Sequence, residues 1–118
     1  MRNAYLGRCS RVGMPTKEYL AIGPDDVVVV TDGKKSDLPL RLDLVRHSPT
    51  GFSWGYGGSG PAQLALAILA DYLGDREAIR QYQDFKWDMI AGLPQGQPWS
   101  IKDVQIDAWL NRTFTQEV

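Results

Sequence analysis

The chain of 118 residues holds a single histidine, His47 in the run RHSPTG, and it is the side chain best suited to proton transfer near neutral pH. Asp43 precedes it and Ser48 follows it, so an orienting carboxylate, a general base and a hydroxyl nucleophile are all present in one short segment. A plainer reading competes. Ser48-Pro49-Thr50-Gly51 is turn chemistry, in which the serine hydroxyl bonds a nearby backbone group and the histidine is a structural hydrogen-bond partner. The plainer reading ranks first, so no catalytic residue is assigned. Arg41 and Arg46 carry the charge to hold a carboxylate or phosphate, although solvated strand positions are the commoner use of such residues.

Directly after this segment comes GFSWGYGGSGPAQLALAIL, with five glycines between positions 51 and 60. Glycines before a helix let backbone N–H groups converge on an anion, and the positive end of the helix dipole adds to the attraction. On that reading Arg41, Arg46, His47, Ser48 and the Gly57, Gly58, Ser59 and Gly60 backbone hold a nucleotide or other anion, and Trp54 or Tyr56 stacks on a base. The known templates do not fit, however. No Lys-Ser/Thr follows for a phosphate-binding loop. The six residues from Gly55 to Gly60 lack the downstream acidic partner of a dinucleotide site, and Pro61 stands where a nucleophile elbow needs glycine. Structural use, with glycines allowing close backbone approach and Trp54 and Tyr56 covering the following helix, is the leading reading.

Composition narrows the classes further. One cysteine, Cys9, excludes an internal disulfide and reads as an inert thiol; with one histidine there is no set for structural zinc, and no metal or cofactor is expected. Asp84 and Asp88 stand one helical turn apart, but a solvated helix face explains them better than a metal pair. The net charge is -1 and the basic residues are scattered, which disfavours nucleic acid as a partner. No secretory leader is evident and the apolar run Leu64–Ala70 is too short to span a bilayer, so the expectation is a cytoplasmic protein without membrane contact.

The elements that must position these residues fall into two halves of a single domain, 1–118. Ala4-Tyr5-Leu6, Tyr19–Ile22 and Val27–Thr31 predict strands, with Asp32-Gly33 as a turn and Lys34-Lys35 within it. Alternation of Leu38, Leu40, Leu42 and Leu44 with polar residues predicts a half-buried strand to Val45, and Phe52–Tyr56 predicts a short one. A helix then starts at Pro61, capped by Gly60 or Ser59, and ends at Gly74; without a polar face it belongs in the core. An amphipathic surface helix follows from Asp75, with Ile79, Tyr82, Phe85, Met89 and Ile90 inward. A third helix is capped by Ser100 and runs from Ile101 to about Arg112, with Val104, Ile106, Trp109 and Leu110 inward and the tail TFTQEV frayed. The fold class is α+β: an N-terminal antiparallel sheet against three helices, the first buried.

The block HSPTGFSWGYGGSGPAQLALAILADYLGD with the later YQDFKWDMIAGLP resembles a family of small uncharacterised proteins of bacteria, archaea and their phages and plasmids, over residues 38 to about 110. The resemblance implies a compact α+β domain with the glycine motif at the strand-to-helix junction, and it carries over no activity. It also implies a mobile-element setting. The resulting expectation is a small non-enzymatic binding protein that docks on a host or defence protein. The alternative is a nucleotide- or anion-binding enzyme or sensor built on the glycine loop.

Overall fold

The computed structural model describes residues 16–23 and 26–116, with side chains as far as Asn111. The strand expected at Ala4-Tyr5-Leu6 and the thiol of Cys9 lie outside these residues. Strands β1 (Lys17–Ala21), β2 (Val27–Thr31) and β3 (Lys34–Asp37) are followed by helices α1 (Ser59–Leu73) and α2 (Asp75–Phe85), a π-helical turn (Lys86–Ile90), strand β4 (Ser100–Lys102) and helix α3 (Asp103–Gln116). The class is α+β, an antiparallel sheet with three helices.

The sheet runs β3-β2-β1-β4. Asp32 and Gly33, with φ of 51° and 84°, form the tight turn between β2 and β3, the double positive φ that matches the twist of a two-residue hairpin. Register places Tyr19 opposite both Val29 and Ile101. These residues, with Ala21 and Val27, form the sheet's share of the core. The fourth strand comes from the C-terminal half, so the sheet is not wholly N-terminal.

Helix α1 is the spine. Every residue from Gly60 to Ala70 is buried, because a helix apolar all round has no face to give to solvent. Gly58 occupies its N-cap position and makes no side-chain bond, so the helix begins two residues before the expected Pro61. Gly74 ends it, its N–H donating to Ala70 O, and α2 folds back along α1.

Several expectations are corrected. Leu38–Val45 is not a strand: Arg41 adopts a φ of 58°, incompatible with an extended ladder, and the segment is a turn-rich loop. The alternating leucines instead dip singly toward the core, Leu38 buried and Leu40 and Leu44 packed at its margin. Lys34 and Lys35 open β3 rather than a turn, on an exposed edge where lysines discourage further pairing. Phe52–Tyr56 is irregular because Gly55, at φ 88°, leaves the extended region. Ser100 and Ile101 belong to β4, and α3 starts at Asp103, whose own carboxylate accepts from Val104 N at its first turn. Val104 and Ile79 face solvent rather than core. The tail is helical to Gln116.

Candidate functional site

The loop carrying Arg41, Arg46, His47 and Ser48 is held from one point in the core. Gln63, on the first turns of α1, has no solvent exposure. Its Oε1 accepts from His47 N (2.7 Å) and Ser48 N (2.9 Å), and its Nε2 donates to Leu40 O (2.6 Å) and Val45 O (3.0 Å). Both lone pairs and both protons of the amide are used, which is the condition for burying such a group. Ser48 Oγ donates to Gly51 O at 2.7 Å, the local turn bond its sequence implied.

His47 Nε2 lies 2.8 Å from Tyr82 Oη on α2, and the two rings meet at 5.5 Å between centres. Asp43 faces elsewhere: Arg41 grips it with two hydrogen bonds of 3.0 and 3.1 Å and reaches Asp75 at 3.0 Å. Those bonds, to Asp43 and then to Asp75, push the Arg41 guanidinium further up, and the Asp43 carboxyl is held below its usual range chiefly by the Arg41 hydrogen bond. The base, the carboxylate and the hydroxyl named in the sequence are thus neighbours in the chain whose polar atoms turn to three separate partners. Arg46 is exposed. A cleft of about 230 Å³ at the edge of this loop is lined by Asp26, Asp37, Leu38, Thr50 and Phe52 among others, and not by Arg41 or His47.

The glycine corner is a second, distinct locus. Gly55 donates its N–H to Ile90 O (3.1 Å), tying the corner to the π-turn, and a Cβ there would lie 2.8 Å from the Gln95 backbone. A Cβ on Gly57 would lie 2.1 Å from the Trp87 ring, one on Gly58 2.5 Å from the Tyr56 ring, and one on Gly60 1.8 Å from Ser53 Oγ. Each of these glycines is bare because a neighbour already occupies the space. Trp54 is buried, crosses Trp99 edge-on at 5.5 Å and donates its indole N–H to Gln97 O (3.2 Å). Tyr56, expected to cover the helix, turns outward at 44% exposure, its hydroxyl 2.8 Å from Ser53 Oγ.

Two residues of these loci were not singled out in the sequence. Gln63 is one; its signal is a lone amide opening an otherwise apolar helix. Lys86 is the other, and it stands beside Trp87, a tryptophan that the sequence alone leaves open as core or interface. The π-turn, closed by Ala91 N donating to Lys86 O (2.8 Å), carries them to the corner; such wide turns recur at functional sites. Lys86 is 7% exposed, donates to Gly57 O (3.2 Å) and lies 4.4 Å from the centre of the Trp87 ring, while Trp87 itself is 61% exposed. Asp88 accepts from Trp109 Nε1 at 2.8 Å, a tie between α3 and the π-turn. Among the described residues no group of three or more acidic, histidine or cysteine side chains is arranged to hold a metal, and no helix is long and apolar enough to cross a membrane.

No curated protein and no solved structure matches the chain. A family model does, across residues 22–112, which takes in β2, β3, the loop, the glycine corner, α1, α2 and most of α3. The chain belongs to that family, DUF6166, a family of unknown function.

Proposed function

We propose that this chain is a small non-enzymatic binding protein that docks on another protein through the glycine corner, with Trp87 and Tyr56 as its contact residues. One observation carries the reading: these two large aromatics, 61% and 44% exposed, each press on a glycine of the same corner, while Trp54 from the same stretch is buried. Tryptophan and tyrosine supply the largest share of binding energy in protein interfaces, through rigid apolar area at small entropic cost. The chemically versatile side chains of the loop already have partners within the fold, His47 with Tyr82 and Arg41 with Asp43 and Asp75. The resemblance of its glycine motif motivates the rest of the proposal, a phage or plasmid setting in which the partner is a host or defence protein.

The test is capture from host lysate with the wild-type chain and with a Trp87→Ala/Tyr56→Ala variant as bait. The expected result is a protein retained at reproducible stoichiometry by the wild type and lost with the variant, whose wild-type circular dichroism and cooperative unfolding show that the fold is kept although the ring over Lys86 is gone. Repeated failure to retain any partner overturns the proposal.

A second reading, a nucleotide or other anion at the corner, is favoured by the positive end of α1, which has no acidic residue in its first turn and no side-chain cap. Thermal-shift screening with nucleotides and phosphorylated metabolites separates the two. A ligand at a hundredfold over its Kd stabilises by about 2.7 kcal/mol, and a flat screen removes the reading.

A further inference from the structure

Lys86 contributes a charge to the corner that the fold does not balance. Its side chain is almost wholly buried, and among the described residues no carboxylate comes within ion-pair distance of Nζ. Its partners are neutral, the Gly57 carbonyl and the face of the Trp87 ring. An ammonium removed from water is costly unless an opposite charge faces it, and a carbonyl and a ring quadrupole offset only part of that cost. The ring that lies against the ammonium is also the most exposed large aromatic of the described residues, and its indole N–H has no partner among them.

We infer that the docking partner presents an aspartate or glutamate beside an apolar side chain. The carboxylate accepts from the indole N–H of Trp87 and faces the Lys86 ammonium 4.4 Å from the centre of the same ring, and the apolar neighbour packs on Tyr56. An interaction transmitted through protein rather than water is strengthened by the lower dielectric. The charge then has its counter-ion only in the complex, so an acidic partner is selected over a neutral one of the same shape. The inference rests on the docking reading above.

The experiment uses a random peptide display library selected against the intact chain. The expected outcome is enrichment of peptides with Asp or Glu next to aromatic or aliphatic residues. Replacing that acid by its amide in a selected peptide weakens binding about tenfold. Lys86→Met on the protein erases the acid-over-amide preference, and Lys86→Arg keeps it. The amide peptides test the charge even if Lys86→Met does not fold. Neutral or basic peptides that still need Trp87 and Tyr56 overturn the carboxylate but leave the docking reading intact. Acidic peptides that bind Lys86→Met as tightly as wild type also overturn it. So does stabilisation of the free chain by millimolar inorganic phosphate together with loss of peptide capture, which marks a small-anion site. Failure to enrich any peptide overturns the inference and the docking reading together.

Discussion

The residue with most at stake is Gln63. Four backbone groups of the 40–48 loop end on its amide, and each would be left without a partner if the amide were replaced by an aliphatic group of similar shape. Each buried orphan costs about 1–3 kcal/mol, though water reaching the half-buried loop moderates the sum. Gln63→Leu is therefore expected to lose at least about 3 kcal/mol in urea unfolding. Gln63→Glu is expected to be comparably damaging, because the Leu40 and Val45 carbonyls would face an acceptor. A loss under 1 kcal/mol for both would mean the loop is held by something else. The glycines are graded by what surrounds them. Alanine at Gly55 meets immovable backbone and a left-handed φ, at Gly60 it meets Ser53, and at Gly57 it meets only the outer edge of a surface indole. The expected order of lost melting temperature is Gly55 first, Gly60 second and Gly57 last, with Gly57→Ala also shifting Trp87 fluorescence. The reverse order would refute the close-approach explanation.

Between elements, the fold is tied by aromatic donors on aspartates. Tyr19 Oη on β1 donates to Asp71 on α1 (2.7 Å), Tyr72 Oη on α1 to Asp107 on α3 (2.7 Å), and Trp109 Nε1 on α3 to Asp88 in the π-turn. Lys17 shares Asp71 at 2.9 Å, and Lys17 N donates to Asp103 at 2.7 Å. Burial first, then the hydrogen bond to Asp71, pushes the Tyr19 phenol well above its ordinary range. The sign of the linkage follows. The folded chain holds the proton more tightly than the unfolded chain, so this stabilisation is complete below the unfolded value of about 10 and falls as pH rises beyond it. Chemical unfolding measured from pH 8 to 11 is expected to show stability falling above about pH 10, by at most about 1.4 kcal/mol per pH unit for this one group. Tyr19→Phe should flatten that slope while losing about 1–3 kcal/mol at neutral pH through the lost hydrogen bond to the charged carboxylate, whose same oxygen Lys17 still holds. An unchanged alkaline slope in Tyr19→Phe would assign the effect to other groups.

Across the whole molecule, stability is unevenly spread. Leu64–Leu69 are completely enclosed, and β1 and β2 are the inner strands, whereas β3 is exposed along its length. Native-state hydrogen exchange is expected to show α1, β1 and β2 opening only with global unfolding and β3 opening first; equal protection of β3 and α1 would contradict this layering. The features legible in the chain alone are those decided within a few residues. The turn at Asp32-Gly33 follows from two residues that tolerate positive φ, the buried spine from an unbroken apolar run, and its end from Gly74. Other features depend on partners far away in the chain. Leucine alternation from 38 to 44 has the period of a strand, yet Gln63, 23 residues after Leu40 and 18 after Val45, captures that segment as a loop. Ser100–Lys102 is too short to declare itself and becomes a strand only because β1 offers a free edge. At the corner, the five glycines marked the place from sequence alone, but Lys86 and Trp87 are 29 and 30 residues from Gly57, and only folding sets them against it. Local backbone preference and apolar periodicity act over a turn or two of chain, so the sequence by itself determined the class of fold and its spine. The partner of each polar group was decided by tertiary packing, because a buried amide or ammonium takes whatever donor, acceptor or ring the packed chain brings within about 3–4 Å.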